Sequence, residues 1–130
     1  LIVSPDQGGR DRAKEFAKEF ESEYIALEKK RDRKTGKVQI KTKNTDKVAD
    51  RDLILVDDMI STGGSIIKAT QFLKKQKCKR VYVACTHALL MNDAEKKIRK
   101  AGVTMIVCAN TIPSKTSIVD VSNTIALAIM

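Results

Sequence analysis

Short, unbroken apolar runs alternate along this chain with stretches in which apolar residues recur every three or four positions. That is the pattern of strands alternating with helices. The run LIVS (1–4) predicts a strand that Pro5 closes. From Arg10 onward Ala13, Phe16, Ala17 and Phe20 fall at helical spacing, with charges on the opposite face. YIAL (24–27) predicts a second strand and LILV (53–56) a third, whose continuous hydrophobicity points to burial on both faces. A helix through Ile66, Ala69, Thr70 and Leu73 comes next, then RVYVACT (80–86) as a strand. A helix from Ala94 to Ala101 is stopped by Gly102. VTMIVCA (103–109) and SIVDV (117–121) read as strands, and Asn123 to Met130 as a closing helix.

Residues 28–50 interrupt this pattern. They are polar and lysine-rich, Gly36 suits a hairpin tip, and KVQIK (37–41) alternates like an exposed strand, so this is expected to be the one long mobile element. Elsewhere strands and helices alternate through short connections, which argues for an α/β fold with a mainly parallel sheet covered by helices. In such sheets ligands bind beyond the carboxyl ends of the strands. Three ends qualify: Ser4–Gly9, Asp57–Ser65 and Asn110–Pro113.

Composition narrows the picture. A chain of 130 residues, 42% hydrophobic and 32% charged, suits one globular domain, and no apolar run reaches bilayer length. Opening on LIVSPD with no initiator Met suggests the interior of a longer protein. The net charge of +9 raises nucleic acid as a partner, but aromatics are 4% and Trp is absent, leaving few platforms for base stacking. The basic residues instead spread over helix faces such as KKIRK (96–100) and FLKKQKCKR (72–80), a solvated surface suited to anionic metabolites. Neither nucleic acid nor a membrane is expected as a partner. Cys78, Cys85 and Cys108 form no CxxC pair; the latter two lie in apolar runs as buried small hydrophobes, and a reducing cytoplasm fits them.

The chemistry concentrates in LILVDDMISTGGS (53–65), where two adjacent carboxylates precede a Ser/Thr/Gly segment of the kind that holds an anion. A P-loop ATPase would need G-x-x-x-x-G-K-[ST], which the chain lacks. A phosphoacceptor receiver domain would need a third aspartate ending another strand and has no use for STGGS. A sugar-phosphate site reconciles the two halves. Asp57 and Asp58 accept hydrogen bonds from vicinal hydroxyls or hold water around Mg²⁺. Gly63 and Gly64 turn backbone N–H groups inward, Ser61, Thr62 and Ser65 add hydroxyls, and the next helix adds its N-terminal dipole. The alternative is a capped helix with Asp57 and Asp58 solvated.

This stretch resembles the ribose-phosphate motif of type I phosphoribosyltransferases and of the ribose-phosphate pyrophosphokinases. The upstream VSPDQGGRDRAKEFA (3–17) is similar to the pyrophosphate loop of the pyrophosphokinases, S-P-D-x-G-G. ALEKKRDR (26–33) resembles the start of their catalytic flexible loop, and ANTIP (109–113) and THALLMNDA (86–94) follow the family's order. The resemblance implies a type I phosphoribosyltransferase-like fold and transfer of diphosphate from ATP to ribose 5-phosphate. It implies that Asp57 and Asp58 bind ribose hydroxyls, that Ser61, Thr62, Gly63, Gly64 and Ser65 hold the 5-phosphate, and that Asp6, Gln7, Gly8 and Gly9 form the pyrophosphate loop. Asp6 and Asp57 would hold Mg²⁺, and Lys29 and Arg31 would close over the transferring phosphate. It also implies a homo-oligomer.

Two positions depart from the usual pattern: Ser61 stands where many members carry aspartate, and Ser65 where threonine is common. Both keep hydroxyl donors. The lone His87 reads as a structural hydrogen-bonding residue and is not assigned to catalysis. The family's amino-terminal domain, which brings much of the ATP site and a catalytic histidine, has no counterpart here, so residues 1–130 are expected to form the carboxy-terminal domain alone and to be inactive in isolation. The competing readings are a single-domain phosphoribosyltransferase, which should carry a base-recognition hood, and a non-catalytic homologue that keeps only the binding.

Overall fold

A computed structural model describes all of residues 1–130. Six parallel strands form one sheet: β1 (Ile2–Ser4), β2 (Tyr24–Ala26), β5 (Leu53–Ile60), β6 (Val81–Ala88), β7 (Val103–Ala109) and β8 (Ser117–Val119). The remaining two, β3 (Glu28–Arg31) and β4 (Val38–Lys41), pair antiparallel as a separate hairpin. Four helices complete the chain: α1 (Arg10–Glu19), α2 (Gly64–Lys75), α3 (Ala94–Lys100) and α4 (Ser122–Ile129). The α/β reading is borne out in its class and in the order of its elements. No helix is long and apolar enough to cross a membrane.

The strand order is β2-β1-β5-β6-β7-β8. The chain starts one strand in from an edge of the sheet, runs outward to the edge strand β2, then returns to the other side of β1 and fills the sheet in the opposite direction. Right-handed crossovers in opposite directions place their helices on opposite faces. Accordingly α1 buries Ala13 and Ala17 against Ile2 and Val56 on one face. On the other, Ile66, Ala69 and Leu73 of α2 and Ala94 and Ile98 of α3 join Leu53, Leu55, Val81, Val83 and Ile106 in the larger core. The order reverses between β1 and β5, and at such a switch the two outgoing loops diverge and leave a crevice. The segments leaving β1 and β5 are SPDQGG and DDMISTGGS.

One detail departs from the sequence reading. The third core strand does not end at Val56: β5 runs on through both aspartates, with Asp57, Met59 and Ile60 in register with Cys85, His87 and Ala88 of β6. Apolar side chains mark where a strand is buried, but the ladder continues wherever a neighbouring backbone supplies partners. Within residues 28–50 the expected hairpin is present, with its second strand where KVQIK alternates. Gly36, at φ +69°, lies in its turn, and a 3₁₀ turn follows at Thr45–Lys47; after it Val48 is fully buried in the main core. Lys47 and Arg51 both pair with Glu23, at 2.9 and 2.8 Å, and their hydrogen bonds hold its carboxyl down to about 2. All three cysteines are buried free thiols, and Cys85 faces Cys108 across β6 and β7.

Candidate active site

At the end of β1 the chain leaves Ser4 and turns at Asp6, which caps a 3₁₀ turn over Gln7–Gly9 leading into α1. Asp6 Oδ1 accepts from the Gly9 N–H at 3.1 Å. That amide is therefore committed to the turn rather than held free for an anion. The Gln7 side chain donates to the carbonyls of Ala26 and Leu27, at 3.2 and 3.4 Å, and fastens the loop to the end of β2. A Cβ at Gly9 would lie 2.5 Å from Ser4 Oγ, so only glycine lets the turn close on the strand. Gly8 has more room, its nearest neighbour being Asp6 Oδ1 at 3.3 Å.

Asp57 and Asp58 sit on the last turns of the β5 ladder, where the sheet gives way to the crevice. Arg12, in the first turn of α1, reaches both: Nη1 stands 3.5 Å from Asp57 Oδ1 and Nη2 3.2 Å from Asp58 Oδ2. Burial pushes the Asp57 carboxyl up to about 6, and the adjacent Asp58 adds to the rise. Burial also acts upward on Asp58, but its hydrogen bond with Asp57 and the Arg12 charge outweigh it and hold that carboxyl below the ordinary range. The pair thus keeps one acid easily ionised while the other titrates near neutrality. Arg12 is the site residue that the sequence reading missed. Its one local signal is its place in the first turn of the helix that follows the GG pair; its partners lie far along the chain.

Beyond Asp58 the loop Ser61–Gly63 leads into α2. With Asp57 and Met59 it surrounds a cavity of about 140 Å³ that Gly64, Ser65 and Ile66 close. Gly63 has φ +80°, and a Cβ there would stand 3.0 and 3.1 Å from Cδ1 and Cγ1 of Ile98. This is a left-handed residue pressed onto α3, and only glycine meets both conditions. The α2 amino terminus, with no side-chain cap, then points its free N–H groups at the cavity.

The floor of this loop is held by residues 90–94. Leu90, Asn92 and Asp93 have φ of 48°, 53° and 57°. A left-handed conformation costs a residue with a Cβ roughly 1–2 kcal/mol and persists only where the surroundings enforce it. Here the Leu90 N–H donates to the Ile60 carbonyl at 3.0 Å and the Met91 N–H to the Ser61 carbonyl at 2.8 Å.

The hairpin crosses the mouth of the crevice. Lys29 is the register partner of Ile40, and Arg31 of Val38. Opposed residues share a face of the ribbon, and Val38 and Ile40 line a cleft against Lys68, Phe72 and Lys75 of α2. That face carries Lys29 Nζ to 2.9 Å from Ser65 Oγ and 3.7 Å from Asp6 Oδ2. One ammonium therefore touches both loops. Arg31 lies on the same face, about 7 Å further along the strand, and makes no ion pair or side-chain hydrogen bond.

No group of three or more His, Cys, Asp or Glu side chains forms a metal cage. Asp57 and Asp6, whose second oxygen lies 3.7 Å from the Lys29 ammonium, are the carboxylates that could offer a two-donor set. That fits Mg²⁺, which takes one or two protein carboxylates and fills its octahedron with water and substrate phosphate. His87 takes no part: its Nδ1 lies 2.8 Å from Thr111 Oγ1, whose own proton goes to the Thr86 carbonyl at 3.0 Å. Nδ1 must then be the protonated nitrogen, and the imidazole ties β6 to the loop after β7. Asn110 is likewise spent on closing that loop, bonding Asp120 and the Val121 N–H, each at 3.0 Å.

A parallel sheet with its crevice at the β1/β5 reversal, an acid pair, and a glycine loop opening a helix define a phosphoribosyl-binding architecture. Consistently, residues 1–123 match the phosphoribosyl transferase domain, and the chain belongs to that family. Within it the chain is a homologue of ribose-phosphate pyrophosphokinase. It is 41% identical over 129 residues to the protein of that name from Sulfurisphaera tokodaii, covering 97% of this chain and 44% of the relative. It is 38% identical over 132 residues to that of Saccharolobus solfataricus, covering 99% and 45%. The chain thus spans less than half the length of these relatives. Among solved structures, phosphoribosylpyrophosphate synthetase from Mycobacterium smegmatis superposes with a TM-score of 0.80 at 26% identity, over 98% of this chain and 43% of that one. Adenine phosphoribosyl transferase from Trypanosoma brucei shares the fold, with a TM-score of 0.61 at 16% identity, over 99% and 68%.

Proposed function

We propose that this chain is the ribose 5-phosphate- and pyrophosphate-binding, carboxy-terminal half of a ribose-phosphate diphosphokinase. In that reaction the oxygen of the ribose 1-hydroxyl attacks the β-phosphorus of ATP. The bond from the β-phosphorus to the oxygen bridging it to the α-phosphorus breaks, AMP leaves, and the hydroxyl proton is released. The observation that carries the reading is the position of Lys29, whose ammonium spans Ser65 of one loop and Asp6 of the other. A sugar phosphate held by Ser61–Ser65 and a diphosphate received by Asp6–Gly9 would meet beneath that charge.

Each residue then has a physical task. Asp57 and Asp58 accept hydrogen bonds from the ribose hydroxyls and fix the ring, with Arg12 keeping the carboxylates aligned and Asp58 ionised. Ser61, Thr62 and Ser65 donate hydroxyls to the 5-phosphate, while Gly63 and Gly64 bring backbone amides within reach. Gln7 and Gly8 shape the turn that receives the diphosphate. Lys29 and Arg31, spaced along one face of the hairpin, neutralise charge on the transferring group; phosphoryl transfer depends on positioning and charge more than on covalent participation. Asp6 and Asp57 would hold Mg²⁺, which when bound offsets the negative charge of the diphosphate. The amino-terminal half supplies the rest of the ATP site, and the whole enzyme is a cytoplasmic homo-oligomer.

The test is twofold. The 130-residue chain should bind ribose 5-phosphate in calorimetry yet form no AMP from ATP, Mg²⁺ and ribose 5-phosphate. The full-length protein carrying this sequence should form AMP and phosphoribosyl pyrophosphate in equal amounts. A full-length protein that forms no AMP, or that instead makes a nucleotide from phosphoribosyl pyrophosphate and a free base, overturns the proposal.

A further inference from the structure

We infer that Leu90–Asp93 is a positioning strap that pre-shapes the phosphate loop, so that the 5-phosphate meets amides and no carbonyl oxygens. The inference rests on the functional reading above and goes beyond it, because none of these residues borders the cavity or touches the proposed ligand. A loop that binds an anion through backbone N–H groups has a companion problem. Its carbonyls are equally strong dipoles, and any that rotate inward repel the ligand. The carbonyls at greatest risk are those of Ile60 and Ser61, where the ladder ends and the loop begins.

Both are fixed. The N–H groups of Leu90 and Met91 donate to them at 3.0 and 2.8 Å, and a weaker contact runs from Ser61 Oγ to Met91 Sδ at 3.6 Å. Two successive amides can face two successive carbonyls here only because the strap coils. Leu90, Asn92 and Asp93 are all left-handed, and Asp93 opens α3 with no side-chain cap. Leucine in that conformation is unfavourable on its own, and it is kept in place by packing against the main core. The strap then passes directly into α3, where the Ala94 N–H returns to the Met91 carbonyl at 3.1 Å. Ile98, one turn on, is the side chain against which Gly63 is pressed. Strap and helix thus grip the phosphate loop at both ends, at Ser61 and at Gly63.

The experiment separates positioning from general support. In the 130-residue chain, Met91→Pro deletes the amide that holds the Ser61 carbonyl, and Met91→Leu keeps it. A single glycine inserted between Met91 and Asn92, at an exposed position, lengthens the strap and unhooks the clasp without removing any side chain. Calorimetry would compare ribose 5-phosphate, which needs the phosphate loop, with inorganic pyrophosphate, which uses the loop after β1. Met91→Pro and the insertion should weaken ribose 5-phosphate at least tenfold and leave pyrophosphate within twofold, and Met91→Leu should bind both as wild type does. If Met91→Pro fails to fold, the insertion alone decides. Wild-type affinity for ribose 5-phosphate in the folded insertion variant, or equal losses for both ligands, overturns the strap. A wild-type chain that binds no ribose 5-phosphate would instead overturn the functional reading beneath it.

Discussion

Gly63→Ala tests whether the phosphate loop is shaped by packing, and its cost can be worked from the geometry. The substitution adds one methyl group to a residue at φ +80°, which costs about 1–2 kcal/mol in the backbone. The new carbon would stand 3.0 and 3.1 Å from Cδ1 and Cγ1 of Ile98, a side chain with no solvent exposure and therefore nowhere to swing. Relief by shifting α3 falls in the range of small overpacking, about 1–2 kcal/mol more. The sum, about 2–4 kcal/mol, lowers the melting temperature of a domain this size by about 6–20 °C. Gly64 provides the control, since a Cβ there meets nothing nearer than Thr62 Oγ1 at 3.8 Å and its φ is ordinary; Gly64→Ala should stay within about 0.5 kcal/mol. Urea unfolding of Gly63→Ala in the wild-type and Ile98→Ala backgrounds separates the two contributions. With Ile98 truncated, only the backbone cost of about 1–2 kcal/mol should remain. An equal loss in both backgrounds refutes the packing argument, and no loss in either refutes both parts.

Two further predictions concern the acid pair. Because the folded state raises Asp57 from 3.8 to about 6, it binds the proton more tightly than the unfolded chain does, so this group's contribution to stability is full below pH 4 and is lost as pH rises through 6. Full conversion of that shift is about 3 kcal/mol; partial solvent access to the side chain reduces it to about 1–2 kcal/mol. Comparing urea midpoints of the wild type and Asp57→Asn from pH 4 to 7 isolates this slope from the other carboxylates, and a wild-type midpoint that gains on the variant with rising pH contradicts the assignment. Arg12→Met removes the guanidinium 3.5 and 3.2 Å from the two carboxylates and should raise the titration of Asp58, whose carboxyl that charge holds down, in a carboxyl-carbon NMR titration. An unchanged or lower value would mean that Arg12 does not set the charge of the site.

Much of this protein is legible from local pattern. The strands and helices follow from period-2 and period-3.6 placement of apolar residues, because burial on one face or two is recorded in the residues themselves. The two loops proposed to bind ligand stand out for the same reason: glycines and hydroxyls after an apolar run need no distant partner to be noticed. What the tertiary structure alone decided is everything that depends on strand order. Placing β1 beside β5 puts the loop after Ser4 next to the loop after Ile60, and this neighbourhood brings Arg12 onto Asp57 and Asp58. The extension of β5 through its aspartates required β6 to run alongside as far as Ala88. Lys29 reads in the sequence as one cation among several in EKKRDRK; the hairpin register gives it a face, and the packing of that face on α2 gives it Ser65 and Asp6. The left-handed Leu90 left no local trace, since leucine has no preference for that conformation and what holds it, the Ile60 carbonyl and packing on the main core, comes from distant parts of the chain. Sequence carries the propensities of each segment, whereas a site assembled from four segments exists only once the sheet has ordered them.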